Sequence, residues 1–458
     1  MPIASSLCLM AQMVRERKIS PLELVDAHLR QIEKVNPKLN AFVTVLAEEA
    51  RAAAKQARPG GLLHGVPVTV KDSFDMAGLP TYCGSQFRRD HRAAEDSTAA
   101  RRFREQGAII LGKTNCPEFL ANYETDNHIT GRTNNPWNTH LTAGGSSGGE
   151  SAAIASYCSA GGIGSDGGGS VRIPAAFCGI AGLKPTPGRV SAAGHFPEIA
   201  HPGGLLGVAG PMARTAADVR LLFAALAGHD NQDPFSAPVP LRPASTQGVR
   251  VGVWPQFYDV PVDAEVRANL QQAAALLNDL RIPAEPFVPR GLERATSLWW
   301  FFFGHVPAPF TRAVVEGREQ EAHWTGLELF HMVKDDAEPT GAQLVTNLVL
   351  RDKIRASLLR QMEHCPVLLM PVCGTVAWPH RARSFATETR PISLLEAMSP
   401  VTPWNLLGMP AMTIPFGMHS TGVPIGIQLV GRPWEEELLL ELAVELERAR
   451  GPFAGPKI

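Results

Sequence analysis

No run of 18 apolar residues occurs anywhere in the chain, so no segment reads as a membrane-spanning helix. An excess of one charge is missing as well: 43 Lys and Arg stand against 44 Asp and Glu, a formal net charge of −1. A chain this close to neutral has no overall field to gather a phosphate backbone or an anionic bilayer, so neither nucleic acid nor membrane is an expected partner. Paired cysteines are absent. The seven present (Cys8, Cys83, Cys116, Cys158, Cys178, Cys365 and Cys373) are scattered and form no C-x-x-C pair. They read as small buried hydrophobes in a reducing, cytoplasmic setting. Fourteen histidines include no H-E-x-x-H, so no metal site is expected. The apolar stretch 3–14 is short and has no basic run ahead of it, so no targeting segment is expected.

What is there suits a large soluble fold. Of 458 residues, 45% are hydrophobic and 19% charged, which excludes wholesale disorder. A chain this long buries about three quarters of its unfolded surface and needs no disulfide to hold a core. Ser20-Pro21-Leu22-Glu23 is a capping box with proline at the first helical position, and Leu22, Val25, Leu29 and Ile32 follow at helical spacing. Residues 1–58 are expected to be helical. Residues 66–70 read as a strand that delivers Lys71 and Asp72 at its end. A helix over 99–106 and a strand over 108–111 follow. Further strands are expected at 249–253, 367–370, 412–414 and 425–430, and helices at 216–227, 264–280, 343–363 and 435–449. This alternation predicts α/β architecture. With no internal repeat and no low-complexity linker, one large domain over 1–458 is expected. Residues 290–345 read as a helical insertion carrying Trp299-Trp300-Phe301-Phe302-Phe303.

Residues 131–190 crowd glycine, serine and alanine together, which predicts loops and closely packed helices where backbone approaches a ligand. Two motif matches there fail on context. Gly162-Ile163-Gly164-Ser165-Asp166-Gly167 fits G-x-G-x-x-G, but an alanine-rich, helix-like stretch precedes it and Pro174 follows. No Gly-Lys-[Ser/Thr] follows the glycines, so a Walker loop is absent too. Gly145-Ser146-Ser147-Gly148-Gly149 fits the G-x-S-x-G elbow, yet a polar, proline-broken stretch stands where the elbow needs a strand. Three positions fit together better. Lys71 ends an apolar strand, where a charge is costly unless paired or neutralised. Ser146 and Ser170 lie in glycine-rich runs whose backbone N–H groups can converge on an oxyanion. A desolvated lysine can serve as the base a serine needs. Residue types alone leave two readings open: a Ser–Ser–Lys hydrolase, or two glycine loops and a salt-bridged lysine.

The stretch 144–149, followed by Gly167-Gly168-Gly169-Ser170-Val171-Arg172-Ile173-Pro174-Ala175-Ala176-Phe177-Cys178-Gly179 and Gly182-Leu183-Lys184-Pro185-Thr186, resembles the signature of the amidase signature family. Spacing agrees, with 75 residues from Lys71 to Ser146 (146 − 71) and 24 from Ser146 to Ser170 (170 − 146). The resemblance extends to Lys113-Thr114-Asn115, Gly210-Pro211-Met212-Ala213-Arg214-Thr215 and residues 405–431, and so spans most of residues 20–450. It implies a central mixed β-sheet flanked by helices, with a signature core over 60–230. It also implies that Ser170 is the acylated nucleophile, that Ser146 bridges it to Lys71 after a cis peptide bond, and that Lys71 is the terminal base. The oxyanion hole would come from the N–H groups of Gly167, Gly168, Gly169 and Ser170. Ser147, Asp166 and Arg172 would support the loop. The family commonly carries a threonine or isoleucine where this chain has Gly167, so the loop is expected to lose preorganisation here.

No cofactor is implied. Tyr123, Thr125, Trp299 and Phe303 are candidates for the substrate pocket, with Phe310, Trp324, Phe330 and the 194–206 loop; the aromatic run would serve equally as a core helix. The expected activity is hydrolysis of neutral aryl or alkyl amides, with esters and carbamates (urethanes) open to the same acyl-enzyme route, by a monomer or homodimer. The competing function is the glutaminase subunit of a tRNA-dependent amidotransferase.

Overall fold

The computed structural model describes residues 2–200 and 203–458. Its strands are β1 (Phe42–Val45), β2 (Pro67–Lys71), β3 (Ile109–Thr114), β4 (Gly161–Asp166), β5 (Ala181–Lys184), β6 (Val208–Ala213), β7 (Val251–Val253), β8 (Ala284–Pro286), β9 (Val367–Pro371), β10 (Ser384–Phe385), β11 (Ile392–Ser393), β12 (Ala411–Met418) and β13 (Pro424–Gly431). Among the described residues eleven of them form one sheet, ordered β1-β3-β2-β4-β6-β5-β12-β13-β9-β7-β8; β10 and β11 pair apart from it. The sheet is mixed. β2 runs parallel to β3 and β4, while β4–β6, β5–β12 and β12–β13 are antiparallel.

Every residue of β2, β3, β9 and β13 is buried, because helices cover both faces of the sheet. That is why Pro67-Val68-Thr69-Val70 reads as a continuous run and not as an alternation. Helix Pro21–Leu39 starts as its sequence requires: Glu23 N–H donates to Ser20 Oγ, and Ser20 N–H donates to the Glu23 carboxylate. A cap of this kind contributes about 1 kcal/mol. Helices Ala216–Leu226 and Glu436–Arg450 pack on each other, and the second also covers β12 and β13. Residues 290–345 are largely helical, with helices Ala295–Trp300, Ala308–Val315 and Trp324–His331 and a π-turn at Phe301–His305.

The glycine-rich region departs from expectation. It contains β4 and β5, with β6 just beyond, and β1 interrupts the helical run expected over 1–58. The sequence of β4, Gly161-Gly162-Ile163-Gly164-Ser165-Asp166, has almost none of the β-branched bulk that marks a strand. Its glycines are there for packing. A Cβ on Gly162 would lie 2.1 Å from Glu150 Oε1, and one on Gly164 would lie 2.7 Å from Ser147 Oγ. The helix Gly148–Ala155 and the residues leading into it need that space. The G-x-G run is therefore a strand whose face has been cleared for polar side chains, with no phosphate-binding turn.

Candidate active site

β2 ends at Lys71, which is fully buried, with Nζ 2.7 Å from Ser146 Oγ, 2.9 Å from Ser147 Oγ and 3.1 Å from Ser165 Oγ. Among the described residues no carboxylate lies within ion-pair distance of it. Asp72, its neighbour in sequence, is held by Lys113 at 2.9 Å. Lys113 also donates to Pro80 O and Thr81 Oγ1, so that lysine is a paired structural cation on the adjacent strand. Burial pushes the Lys71 amine down to about 8, against the opposing pull of Cys116, Cys83, Asp166 and Glu150. A neutral amine among hydroxyls keeps a lone pair to accept from one of them.

Ser146 follows a cis peptide bond from Gly145. Thr125 braces this turn: its hydroxyl donates to Gly144 O at 2.9 Å and accepts from Gly148 N–H at 3.2 Å. Ser147 joins the two glycine loops, donating from its N–H to Ser170 O at 3.1 Å and from its hydroxyl to Ser165 O at 3.3 Å. Ser146 and Ser170 line the same cavity, and the Ser170 hydroxyl makes no hydrogen bond among the described residues.

Asp166, the last residue of β4, organises the second loop. Its carboxylate accepts from Gly169 N–H at 2.7 Å and Val171 N–H at 3.1 Å, and pairs with Arg172 at 3.0 Å through both oxygens. Burial alone would raise its pKa, but Arg172 and Asn405 hold it well below the usual carboxylate range. Arg172 is saturated in turn by Val401 O, Gln428 Oε1 and Asn405 Oδ1. Gly169 N–H is thus committed to Asp166 and is not a free oxyanion donor, unlike the four-donor set expected from the sequence. Gly167, Gly168 and Ser170 keep N–H groups without hydrogen-bond partners among the described residues. Two carbonyls of this loop are anchored from behind. Trp299 Nε1–H donates to Gly167 O and Tyr123 O–H to Gly168 O, both at 2.9 Å. A trans peptide points its N–H opposite its C=O, so anchoring Gly167 O turns Gly168 N–H the other way. The place a side chain at 167 would enter faces Phe303, 3.5 Å away, and that ring stacks on the Trp299 indole at 4.6 Å.

The Amidase family model matches residues 23–440. The chain belongs to the amidase family. A glutamyl-tRNA(Gln) amidotransferase subunit of Synechococcus sp. (strain CC9605) is 32% identical to it, covering 97% of this chain and 96% of its own. The indoleacetamide hydrolase of Bradyrhizobium diazoefficiens is 33% identical, with 97% and 86% covered. The solved structure of 6-aminohexanoate cyclic dimer hydrolase in complex with substrate superposes at a TM-score of 0.87, with 30% identity and 98% and 97% covered. The protein is an amidase signature amidohydrolase, an enzyme that acts on amides.

The amidase's cavity measures about 550 Å³. Ser146, Ser165, Asp166, Gly167 and Ser170 form one side of it, and the rest is mostly apolar, with Phe119, Phe196, Phe302, Phe303 and Phe330 prominent. Of the four pocket candidates from the sequence, only Phe303 is on the wall. Tyr123, Thr125 and Trp299 stand behind the glycine loops and hold them. Phe310 is on the wall and 62% exposed, at the cavity mouth. Trp324 is away from it, with Arg381 and Arg383 over its ring. In the 194–206 loop, residues 195–200 and Leu206 line the cavity, while 201 and 202 lie outside the described residues. Among the described lining residues there is no Lys or Arg. A group of metal-type ligands, Glu285, His364 and Cys365, lies at the β8 edge of the sheet, not on this cavity. Ser165, Asn405 and Gln428 escaped the sequence reading. Residues 405–431 carried a resemblance, but no spacing connects Asn405 or Gln428 to an arginine more than 230 residues earlier.

No helix among the described residues is long and apolar enough to cross a membrane.

Proposed function

We propose that this amidase hydrolyses neutral amides with an apolar acyl or aryl group, through an acyl-enzyme on Ser170. The supporting observation is the buried Lys71 amine, 2.7 Å from Ser146 Oγ and with no carboxylate in ion-pair distance among the described residues. Ser170 Oγ attacks the carbonyl carbon; its proton passes to Ser146, whose own proton passes to Lys71. The N–H groups of Gly167, Gly168 and Ser170 stabilise the tetrahedral oxyanion, each contributing about 3–4 kcal/mol. As the C–N bond breaks, Ser146 returns a proton to the leaving nitrogen and Lys71 reprotonates Ser146. Water then attacks the Ser170 ester by the same relay and releases the acid.

The apolar wall favours this substrate class over glutamine. Glutamine brings an α-carboxylate, and the described lining offers no cation to hold it. The aromatic wall also suits an aryl acyl group better, and one relative is an indoleacetamide hydrolase. Esters and carbamates enter the same route, since only the leaving group changes.

A panel of aliphatic amide, anilide, aryl carbamate, p-nitrophenyl ester and glutamine tests the assignment, alongside a fluorophosphonate label. The anilide should be turned over and glutamine should not, with Ser170→Ala losing both turnover and label. Strict preference for glutamine would establish the glutaminase reading instead, and full activity in Ser170→Ala would remove the nucleophile.

A further inference from the structure

Behind Lys71 lies a carboxyl group that the relay does not use. Glu150, in the first turn of helix Gly148–Ala155, is fully buried, and among the described residues its side chain's hydrogen-bond partners are all hydroxyls. Thr69 Oγ1 lies 2.5 Å from Glu150 Oε1, Thr114 Oγ1 2.6 Å from Oε2, Thr69 Oγ1 3.0 Å from Ser159 Oγ, and Ser159 Oγ 2.8 Å from Gly161 O. Each of these oxygen pairs needs a hydrogen between its two atoms. Gly161 O can only accept, so the Ser159 hydroxyl donates to it. Ser159 must then accept from Thr69, whose single hydrogen is spent there. The Thr69–Glu150 contact is left with no hydroxyl hydrogen, and Thr114 supplies only the other carboxyl oxygen. Four contacts share three hydroxyl hydrogens. The fourth has to come from the acid.

We infer that Glu150 is a protonated, neutral carboxylic acid, and that it acts as a positioning residue whose lack of charge keeps Lys71 available as a base. The second half rests on the relay proposed above. Thr69 and Lys71 lie two residues apart on β2, on one face of the strand, and the space for the acid comes from the missing side chain of Gly162. The titratable groups that bear on Lys71 are Cys83, Cys116, Asp166, Glu150 and His195. Arg172 already offsets Asp166, and burial pushes the Cys116 thiol up and the His195 imidazole down. Among the described residues Glu150 has no cationic hydrogen-bond partner, so an ionised Glu150 would be an uncompensated negative charge that draws Lys71 into its ammonium form. Burial acts on the acid in the same sense as the hydrogen count, pushing Glu150 up from the usual carboxylate range.

The isosteric Glu150→Gln variant separates the alternatives. Its amide NH2 donates to Thr69 and its carbonyl accepts from Thr114, reproducing the pattern of the protonated acid. We expect kcat within about threefold of wild type and an acid limb of kcat/KM that does not move. In infrared difference spectra at about pH 7 and again at about pH 9, where Lys71 is neutral, the carbonyl stretch of a protonated carboxylic acid should be present in wild type and lost in the variant. If the variant fails to fold, the same band is sought in a Glu118→Gln/Glu447→Gln background, which removes the two other carboxyls that burial raises to about 7. Absence of that band overturns the inference, as does an acid limb that moves down by about one pH unit or more in Glu150→Gln. Failure of the relay is read separately, by activity surviving in Ser170→Ala.

Discussion

Titrating kcat/KM of the wild-type enzyme for a neutral anilide between about pH 5 and about pH 10 tests the state of Lys71 directly. The amine's fall from its ordinary 10.5 to about 8 follows from burial without an ion-pair partner. That fall corresponds to about 3 kcal/mol in favour of the neutral form. An amine of this kind is roughly one hundredth neutral at pH 6, about one tenth at pH 7 and about nine tenths at pH 9. The rate should therefore climb about tenfold per pH unit below pH 8 and level off above it. Lys71→Met should abolish the limb together with most of the turnover, by about 10³-fold or more, since a relay without its terminal base loses function as a unit. The variant should remain folded, because methionine fills the same buried space without a charge to solvate. A profile flat from about pH 5 to pH 9 would refute the neutral-amine argument, as would a limb above pH 10, which would mean that the lysine behaves as a solvated one.

Trp299→Phe keeps the stack on Phe303 but removes the donor to Gly167 O; kcat should fall about tenfold with KM nearly unchanged, and unchanged kcat would show that the indole does not aim the loop. Lys113→Met strands Asp72 in the interior and should cost about 3–5 kcal/mol in denaturant titrations, whereas full stability would contradict the ion-pair assignment. Gly162→Ala places a methyl 2.1 Å from Glu150 Oε1 and 2.3 Å from Thr69 O, so it should lower stability by about 3 kcal/mol or more; a wild-type melting point would refute the packing argument. His28 is fully buried, donates from Nδ1 to Leu24 O, and is pushed by burial from 6.5 down to about 4. The unfolded chain binds that proton first, so stability is complete above pH 6.5 and falls by about 3 kcal/mol as the pH drops to 4. His28→Gln should remove that part of the acid sensitivity, measured as denaturant midpoints at about pH 4 and pH 7.

Much of the frame was legible in the chain because it rests on local rules. The Ser20–Glu23 box, the apolar run into Lys71 and the helix expected over 435–449 each depend on residues a few positions apart, and each formed close to where expected. β4 was illegible for the opposite reason. Its glycines make room for Glu150 and Ser147, so its identity as a strand is decided by neighbours and not by its own propensity. The same holds for Tyr123, Thr125 and Trp299. The family resemblance marked Tyr123 and Thr125, and the aromatic run marked Trp299, as pocket material, while their hydrogen bonds turn them toward the backbone of the glycine loops.

By itself the sequence determined which groups exist to do chemistry, a lysine at a strand end and two serines among glycines, and the α/β frame that carries them. Only the tertiary structure decided their states. It gave Asp72 to Lys113 and left Lys71 with hydroxyls, and it committed Gly169 N–H to Asp166. Protonation and donor direction depend on burial and on partners brought from distant segments, such as Trp299, 132 residues from Gly167. Contacts across such separations leave no periodic trace in the chain, and the low dielectric that shifts a buried amine arises only once the layers have closed over it.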